Sequence, residues 1–124
     1  MASSVMIVDD ADVIRLVLRD LLTENGYEVV GECSNGLEAL NKYKELKPDV
    51  VTLDITMPEQ DGLWALENIL AHDPAAKIVM VTAVDERNAL IKAIRLGAKD
   101  YIVKPFEEQR VLSALKKVTS PEEE

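Results

Sequence analysis

The most regular feature of the chain is an alternation of short apolar runs rich in Val and Ile with longer stretches whose apolar residues recur every three or four positions. Runs that brief read as strands buried on both faces, and the longer stretches as amphipathic helices, so the pattern describes repeated βα units around a parallel sheet. Five units are present, with strands predicted at residues 5–8, 28–33, 50–55, 78–82 and 101–103. The first helix is expected over 13–25, with Ile14, Val17, Leu18 and Leu21 turned inward and Gly26 taking the left-handed cap. The second is expected over 37–46, with Leu40 and Tyr43 facing in and Pro48 beyond its end. The third follows Gly62, aligns Leu63, Leu66 and Leu70, and is stopped by Pro74. The fourth directs Leu90, Ala93 and Ile94 at the sheet and stops at Gly97; the fifth begins near Glu107 and buries Val111, Leu115 and Val118. Residues 1–119 thus form one domain, and 120–124, where Pro121 precedes three glutamates, read as a disordered acidic tail.

Composition narrows the class. A chain of 124 residues that is 48% hydrophobic can bury roughly two-thirds of its unfolded surface and needs no staples. Cys33 is the one cysteine, and the first residues show neither a basic region nor a cleavage pattern, so a reducing, cytoplasmic location is expected. No apolar run approaches the roughly 20 residues needed to cross a bilayer, and no Cys/His group has zinc spacing. Membrane insertion and structural zinc are therefore not expected. Acidic residues outnumber basic ones by 23 to 14, for a formal charge of -9, so the average field repels phosphate backbones and disfavours direct nucleic-acid binding. An acidic protein that handles phosphate needs a cation to mediate the encounter.

Ligands of open α/β sheets bind outside the carboxyl ends of the strands, where strand order reverses. Asp9 and Asp10 follow the first predicted strand, Asp54 lies at the end of the third, Thr82 ends the fourth, and Lys104 and Pro105 follow the fifth. Singly, each has an ordinary explanation. Asp9, Asp10 or Asp12 suits a solvated turn or a helix cap, Asp54 a structural hydrogen-bonded acid, Thr82 a strand, and Lys104 a surface amine. Together, at successive strand ends, they describe a site. Two unit charges about 4 Å apart repel by roughly 4 kcal/mol at an effective dielectric of 20, so three clustered carboxylates call for protonation or a bridging cation. All-oxygen ligands suit Mg2+, with Mn2+ able to substitute. Asp54 is then the candidate nucleophile toward phosphorus, giving an acyl phosphate, with Lys104 and Thr82 on the phosphoryl oxygens. A cis bond between Lys104 and Pro105 would aim the amine at the pocket.

The stretches IVDD at 7–10, DITMPEQDG at 54–62, VTA at 81–83 and YIVKP at 101–105 resemble the receiver domains of two-component response regulators, over essentially the full length. Within that family the chain is most similar to the stand-alone chemotaxis type. The resemblance implies a flavodoxin-like (βα)5 three-layer sandwich with a five-stranded parallel sheet in the order 2-1-3-4-5. It implies that Asp54 is the phosphoacceptor, that Asp10 and the Thr56 carbonyl ligate magnesium beside it, and that Asp9 reaches the ion through water. Thr82 and Tyr101 match the switch pair, in which the hydroxyl moves toward the phosphoryl group and the ring turns inward. Lys104 matches the lysine that senses the phosphoryl charge, and Thr56 and Val84 the positions that tune acyl-phosphate lifetime. A histidine kinase is the implied phosphodonor, and the outputs to weigh are a flagellar motor switch, a phosphorelay, or an output domain of a larger transcriptional regulator. A monomer is expected.

Two surfaces are candidate docks. Asn88, Ile91, Lys92 and Arg95 should face outward on the fourth helix, with Lys99 and Tyr101 close by, and Arg15, Leu16 and Arg19 outward on the first, where a kinase would approach. Trp64 falls off an apolar stripe, His72 is expected in a loop and Cys33 ends a strand; none has a catalytic role. Two rivals fit less well. A haloacid-dehalogenase-type phosphatase wants a second acid two residues past the nucleophile, where Thr56 stands. A flavodoxin-like electron carrier wants a Gly/Ser/Thr-rich loop where Asp9 and Asp10 stand. The reading is of a switch whose only chemistry is its own phosphorylation and dephosphorylation.

Overall fold

The computed structural model describes residues 3–57 and 61–119. The expected tail at 120–124 and the middle of the DITMPEQDG stretch lie outside the described residues. Five strands alternate with five helices: β1 Ser4–Val8, α1 Asp12–Glu24, β2 Glu28–Cys33, α2 Gly36–Leu46, β3 Val50–Asp54, α3 Gly62–His72, β4 Ile78–Ala83, α4 Arg87–Leu96, β5 Asp100–Lys104 and α5 Glu108–Thr119. All neighbouring strands pair in parallel, in the order β2-β1-β3-β4-β5.

Both sheet faces are covered, which is why the inner strands β1, β3 and β4 are buried at nearly every position, while the edge strands β2 and β5 keep exposed residues such as Glu28, Tyr101 and Val103. On β1, Met6 and Val8 face a core shared with Ala39 and Tyr43 of α2, Ala65, Leu66 and Ile69 of α3 and Ala93 of α4. Val5 and Ile7 face the opposite core, with Leu18, Leu21 and Leu22 of α1 and Val111, Ala114 and Leu115 of α5. The period-two alternation of a strand thus feeds two cores and yields three layers.

Several predicted helix faces are rotated. Leu18, Leu21 and Leu22 are the buried residues of α1, while Val17 is 45% exposed because it borders a groove toward Phe106 and Glu108. On α3 the buried set is Gly62, Ala65, Leu66 and Ile69, with Leu63 and Leu70 only flanking the core. Only Ala93 of α4 is fully buried, and Ile94, expected to face the sheet, is 42% exposed. A small residue over the sheet leaves the larger apolar side chains of α4 on its flank. On α5, Val118 is only partly buried, and Ala114 completes the inner face. His72 is the last residue of α3 rather than part of a loop.

Helix ends are set locally. Gly26 has φ 89 after α1, and Lys47 takes the left-handed conformation that ends α2 just before Pro48. The start of α3 is pressed onto the end of β3. The Gly62 N–H donates to the Ile55 carbonyl at 2.8 Å, and a Cβ on Gly62 would lie 2.0 Å from the Asp54 carbonyl oxygen.

Candidate functional site

Strand register decides which side chains share the carboxyl edge of the sheet. Val8 pairs with Leu53, Asp54 with Val81, Thr82 with Val103, and Ala83 with Lys104. Asp9, Asp54, Thr82 and Lys104 therefore emerge side by side from β1, β3, β4 and β5. One carboxylate oxygen each from Asp9, Asp10 and Asp54 lies within 4.8 Å of the others. Asp9 and Asp54 are buried, whereas Asp10 is open to solvent. The Lys104 ammonium reaches between the two buried acids, 2.9 Å from Asp9 Oδ2 and 3.4 Å from Asp54 Oδ1. Asp9 Oδ1 accepts the Ala11 N–H at 2.9 Å, so this acid does organise the turn into α1. The cap residue itself, Ala11, has no side chain able to do so.

Electrostatically the pocket is under-compensated. Burial, then the charge of Asp9, pushes the Asp54 carboxyl up to about 7, and the Lys104 ammonium only partly opposes this. Burial alone would lower the Lys104 pKa; contact with Asp9 and Asp54 outweighs it and holds the amine above its ordinary value. Apart from the Lys104 ammonium, Asp9 Oδ2 is a buried acceptor without a hydrogen-bond donor among the described residues. Three hard oxygen donors, an under-served buried oxygen and a carboxyl whose ionisation is opposed first by burial and then by Asp9 together fit a hard divalent cation such as Mg2+.

The other expected site residues are distributed as follows. Thr82 is 1% exposed, and its hydroxyl lies 3.2 Å from Glu86 Oε1 and from the Ala83 carbonyl. Thr56 is exposed and donates its hydroxyl to Glu86. The Lys104–Pro105 peptide bond is cis, and Val84 stands 79% exposed beside the site. Tyr101 pairs with Met80, two rungs before Thr82, and its ring points outward, 40% exposed. The Arg110 guanidinium lies 5.5 Å from that ring's centroid and donates to the Tyr101 carbonyl. Neither Glu86 nor Arg110 was singled out by the sequence. An acid at the start of a helix and a base on a helical surface are too common to mark a site, and only the fold brings them to Thr82 and Tyr101.

The two expected docking faces differ from their sequence outlines. Arg15 is not a free surface cation: it is largely covered, pairs with Asp12 and Glu32, and donates to the Asp9 carbonyl, tying α1 to the ends of β1 and β2. Arg19 pairs with Glu32 at 2.9 Å yet stays exposed, and Leu16 beside it is 53% exposed. The α4 face is larger than expected, because Ile94 joins Ile91 on it. Arg87, Leu90, Ile91, Ile94, Arg95 and Tyr101 line a groove of about 410 Å3, with Lys92 and Lys99 exposed nearby. Cys33 is buried, and its thiol is pushed up to about 12, chiefly by that burial, so it is chemically quiet. Trp64 packs partly buried against the core. No helix among the described residues is long and apolar enough to cross a membrane.

This carboxyl-edge cluster on a doubly wound sheet of order 2-1-3-4-5 defines a class. The chain belongs to the response regulator receiver domain family, whose model matches residues 5–116. It is 54% identical over 119 residues to the chemotaxis protein CheY of Thermotoga maritima, covering 96% of this chain and 99% of that one. It is 54% identical over 112 residues to CheY of Listeria monocytogenes, covering 90% and 94%. Among solved structures, the CheX–CheY–BeF3–Mg2+ complex of Borrelia burgdorferi superposes with a TM-score of 0.91 at 35% identity, covering 96% of this chain and 90% of that one. The chain is thus a receiver domain closely related to CheY, a phosphorylation-activated switch of chemotaxis.

Proposed function

We propose that this receiver takes a phosphoryl group from a histidine kinase onto Asp54, in a Mg2+-dependent reaction, and thereby changes the α4 surface read by a downstream chemotaxis protein, for which a flagellar motor switch is the best candidate. The observation that carries the reading is the buried Asp54 carboxylate, within ion-pair reach of Lys104 and beside Asp9 and Asp10 at the strand ends. An Asp54 oxygen attacks phosphorus in line, a new O–P bond forms, and the bond from phosphorus to the kinase's imidazole nitrogen breaks with its electron pair leaving on nitrogen. Asp9, Asp10, Asp54 and the Thr56 carbonyl would hold the ion, which offsets the charge of the incoming phosphoryl group; Mn2+ can replace it. Lys104 pairs with one phosphoryl oxygen and the Thr82 hydroxyl with another. Val84 presents only an alkyl group beside the acyl phosphate and positions no water for its hydrolysis.

Movement of Thr82 frees the space into which the Tyr101 ring turns, and the groove beside it changes shape. Kinase docking falls on the α1 face around Leu16 and Arg19, and output on Ile91, Lys92, Arg95, Lys99 and Tyr101. Residues 1–119 act as one monomeric domain with an acidic tail at 120–124, working in the cytoplasm with no turnover of outside substrates. The Borrelia relative captured with BeF3 and Mg2+ supports this chemistry. The test is amide NMR with beryllofluoride, a phosphoryl analogue, and Mg2+. Changes running from Asp54 through Thr82 to Tyr101 and Ile91 are expected, and their absence in Asp54→Asn. Changes confined to the metal pocket would reject the switch.

A further inference from the structure

Glu86 precedes α4, four residues after Thr82, and takes no part in the phosphoryl chemistry above. Its half-buried carboxylate turns back onto the end of β4. Oε1 accepts the Ala83 N–H at 2.8 Å and lies 3.2 Å from the Thr82 hydroxyl, while Oε2 accepts the Thr56 hydroxyl. Donors from the ends of two strands thus converge on one carboxylate. Burial works to raise the Glu86 pKa, but hydrogen bonds from Thr56, Ala83 and Thr82, with the nearby Lys104 charge, outweigh it and hold it below the ordinary value. A glutamate needs no shift to be ionised at neutral pH, so the three donors meet a carboxylate.

An anion served by Thr82 and near Lys104 occupies the role that a phosphoryl group on Asp54 would need. The Thr82 hydroxyl has one proton, already shared between Glu86 Oε1 and the Ala83 carbonyl, each at 3.2 Å, and it cannot donate to either of them and to a phosphoryl oxygen as well. We propose that Glu86 is an internal competitor for the phosphoryl group, a carboxylate latch that holds Thr82 in the unphosphorylated protein and must release it when Asp54 is modified. This rests on the reading of Asp54 as phosphoacceptor. The latch also supplies a route to the output face, because Arg87, the next residue, lines the groove with Ile91, Ile94 and Tyr101. Release of Glu86 unties the first turn of α4 from β4.

The test is calorimetric titration of the full chain with beryllofluoride in excess Mg2+. Removing the competing charge-assisted hydrogen bond should let Glu86→Ala bind at least about tenfold tighter, and Glu86→Gln, which keeps an acceptor without the charge, should gain less. Asp85→Ala removes the same unit of charge from the adjacent exposed residue and should leave affinity within about twofold. The Thr82 methyl resonance of Glu86→Ala should move toward its position in the beryllofluoride-bound parent. Equal affinity in Glu86→Ala and parent, or an equal gain in Asp85→Ala, overturns the latch while leaving Asp54 as acceptor. A parent that does not bind beryllofluoride removes the phosphoacceptor reading and the latch with it.

Discussion

Replacing Asp54 by Asn removes a charge from the under-compensated pocket while nearly preserving its shape. The Asp54 carboxyl is pushed from 3.8 to about 7 in the folded protein, first by burial and then by Asp9. With the folded value above the unfolded one, the native state keeps a proton that the unfolded state has already lost between those two pH values. Stability therefore falls as pH rises from about 4 to about 7 and levels off above. At about 1.4 kcal/mol per pH unit, moving from 3.8 to about 7 means that ionised Asp54 destabilises the metal-free fold by about 4 kcal/mol at pH 8. Asp54→Asn should recover most of that, raising Tm by roughly 10 °C or more, and the gain should shrink below about 1 kcal/mol at pH 4. Thermal and urea unfolding in EDTA at pH 4 and pH 8 measure both limits. Millimolar Mg2+ should stabilise the parent at pH 8 and the variant much less, since a ligand of the native state adds RT ln(1 + [L]/Kd). A variant no more stable than the parent at pH 8, or a gap unchanged between the two pH values, would refute the reasoning.

Other substitutions separate the parts of the account. Gly62→Ala drives a Cβ into the Asp54 carbonyl and the Ile55 Cα; it should destabilise by at least about 2 kcal/mol in urea unfolding and slow phosphorylation by displacing the end of β3. Val84→Glu adds an acid at a residue 79% exposed beside the site and should shorten the acyl-phosphate half-life in a radiolabel decay assay; decay no faster than in the parent would count against Val84 as a tuning position. Leu16→Asp, on the face left open by the Arg15 and Arg19 ion pairs, should slow transfer from the kinase while sparing transfer from acetyl phosphate. Equal loss with both donors would indicate misfolding instead.

The sheet was legible in the sequence because strands buried on both faces need Val, Ile and Leu at nearly every position, and Gly26, Pro48 and Gly97 mark helix ends by their backbone chemistry. Asp9, Asp54 and Lys104 were legible because a polar residue that ends an apolar strand has few other places to go. Helix faces were read less well. On α4, periodicity alone made Ile94 as inward as Ala93, and the difference lies in how closely the helix approaches the sheet. Arg15 looked like a surface cation because Glu32, its partner on the neighbouring strand, is distant in sequence. Glu86 was invisible for the same reason: its meaning depends on Thr56, thirty residues away, and on the turn between β4 and α4 that aims it backward.

Asp54 should form a covalent bond to phosphorus only when a divalent ion offsets the surrounding carboxylates. Incubating the parent and Asp54→Asn with acetyl phosphate, each with Mg2+ or with EDTA, and weighing the intact proteins tests this directly. The account predicts that the parent gains the mass of one phosphoryl group with Mg2+ alone and that the variant gains nothing. A phosphoryl adduct on the variant, or one on the parent that forms equally well in EDTA, would contradict it.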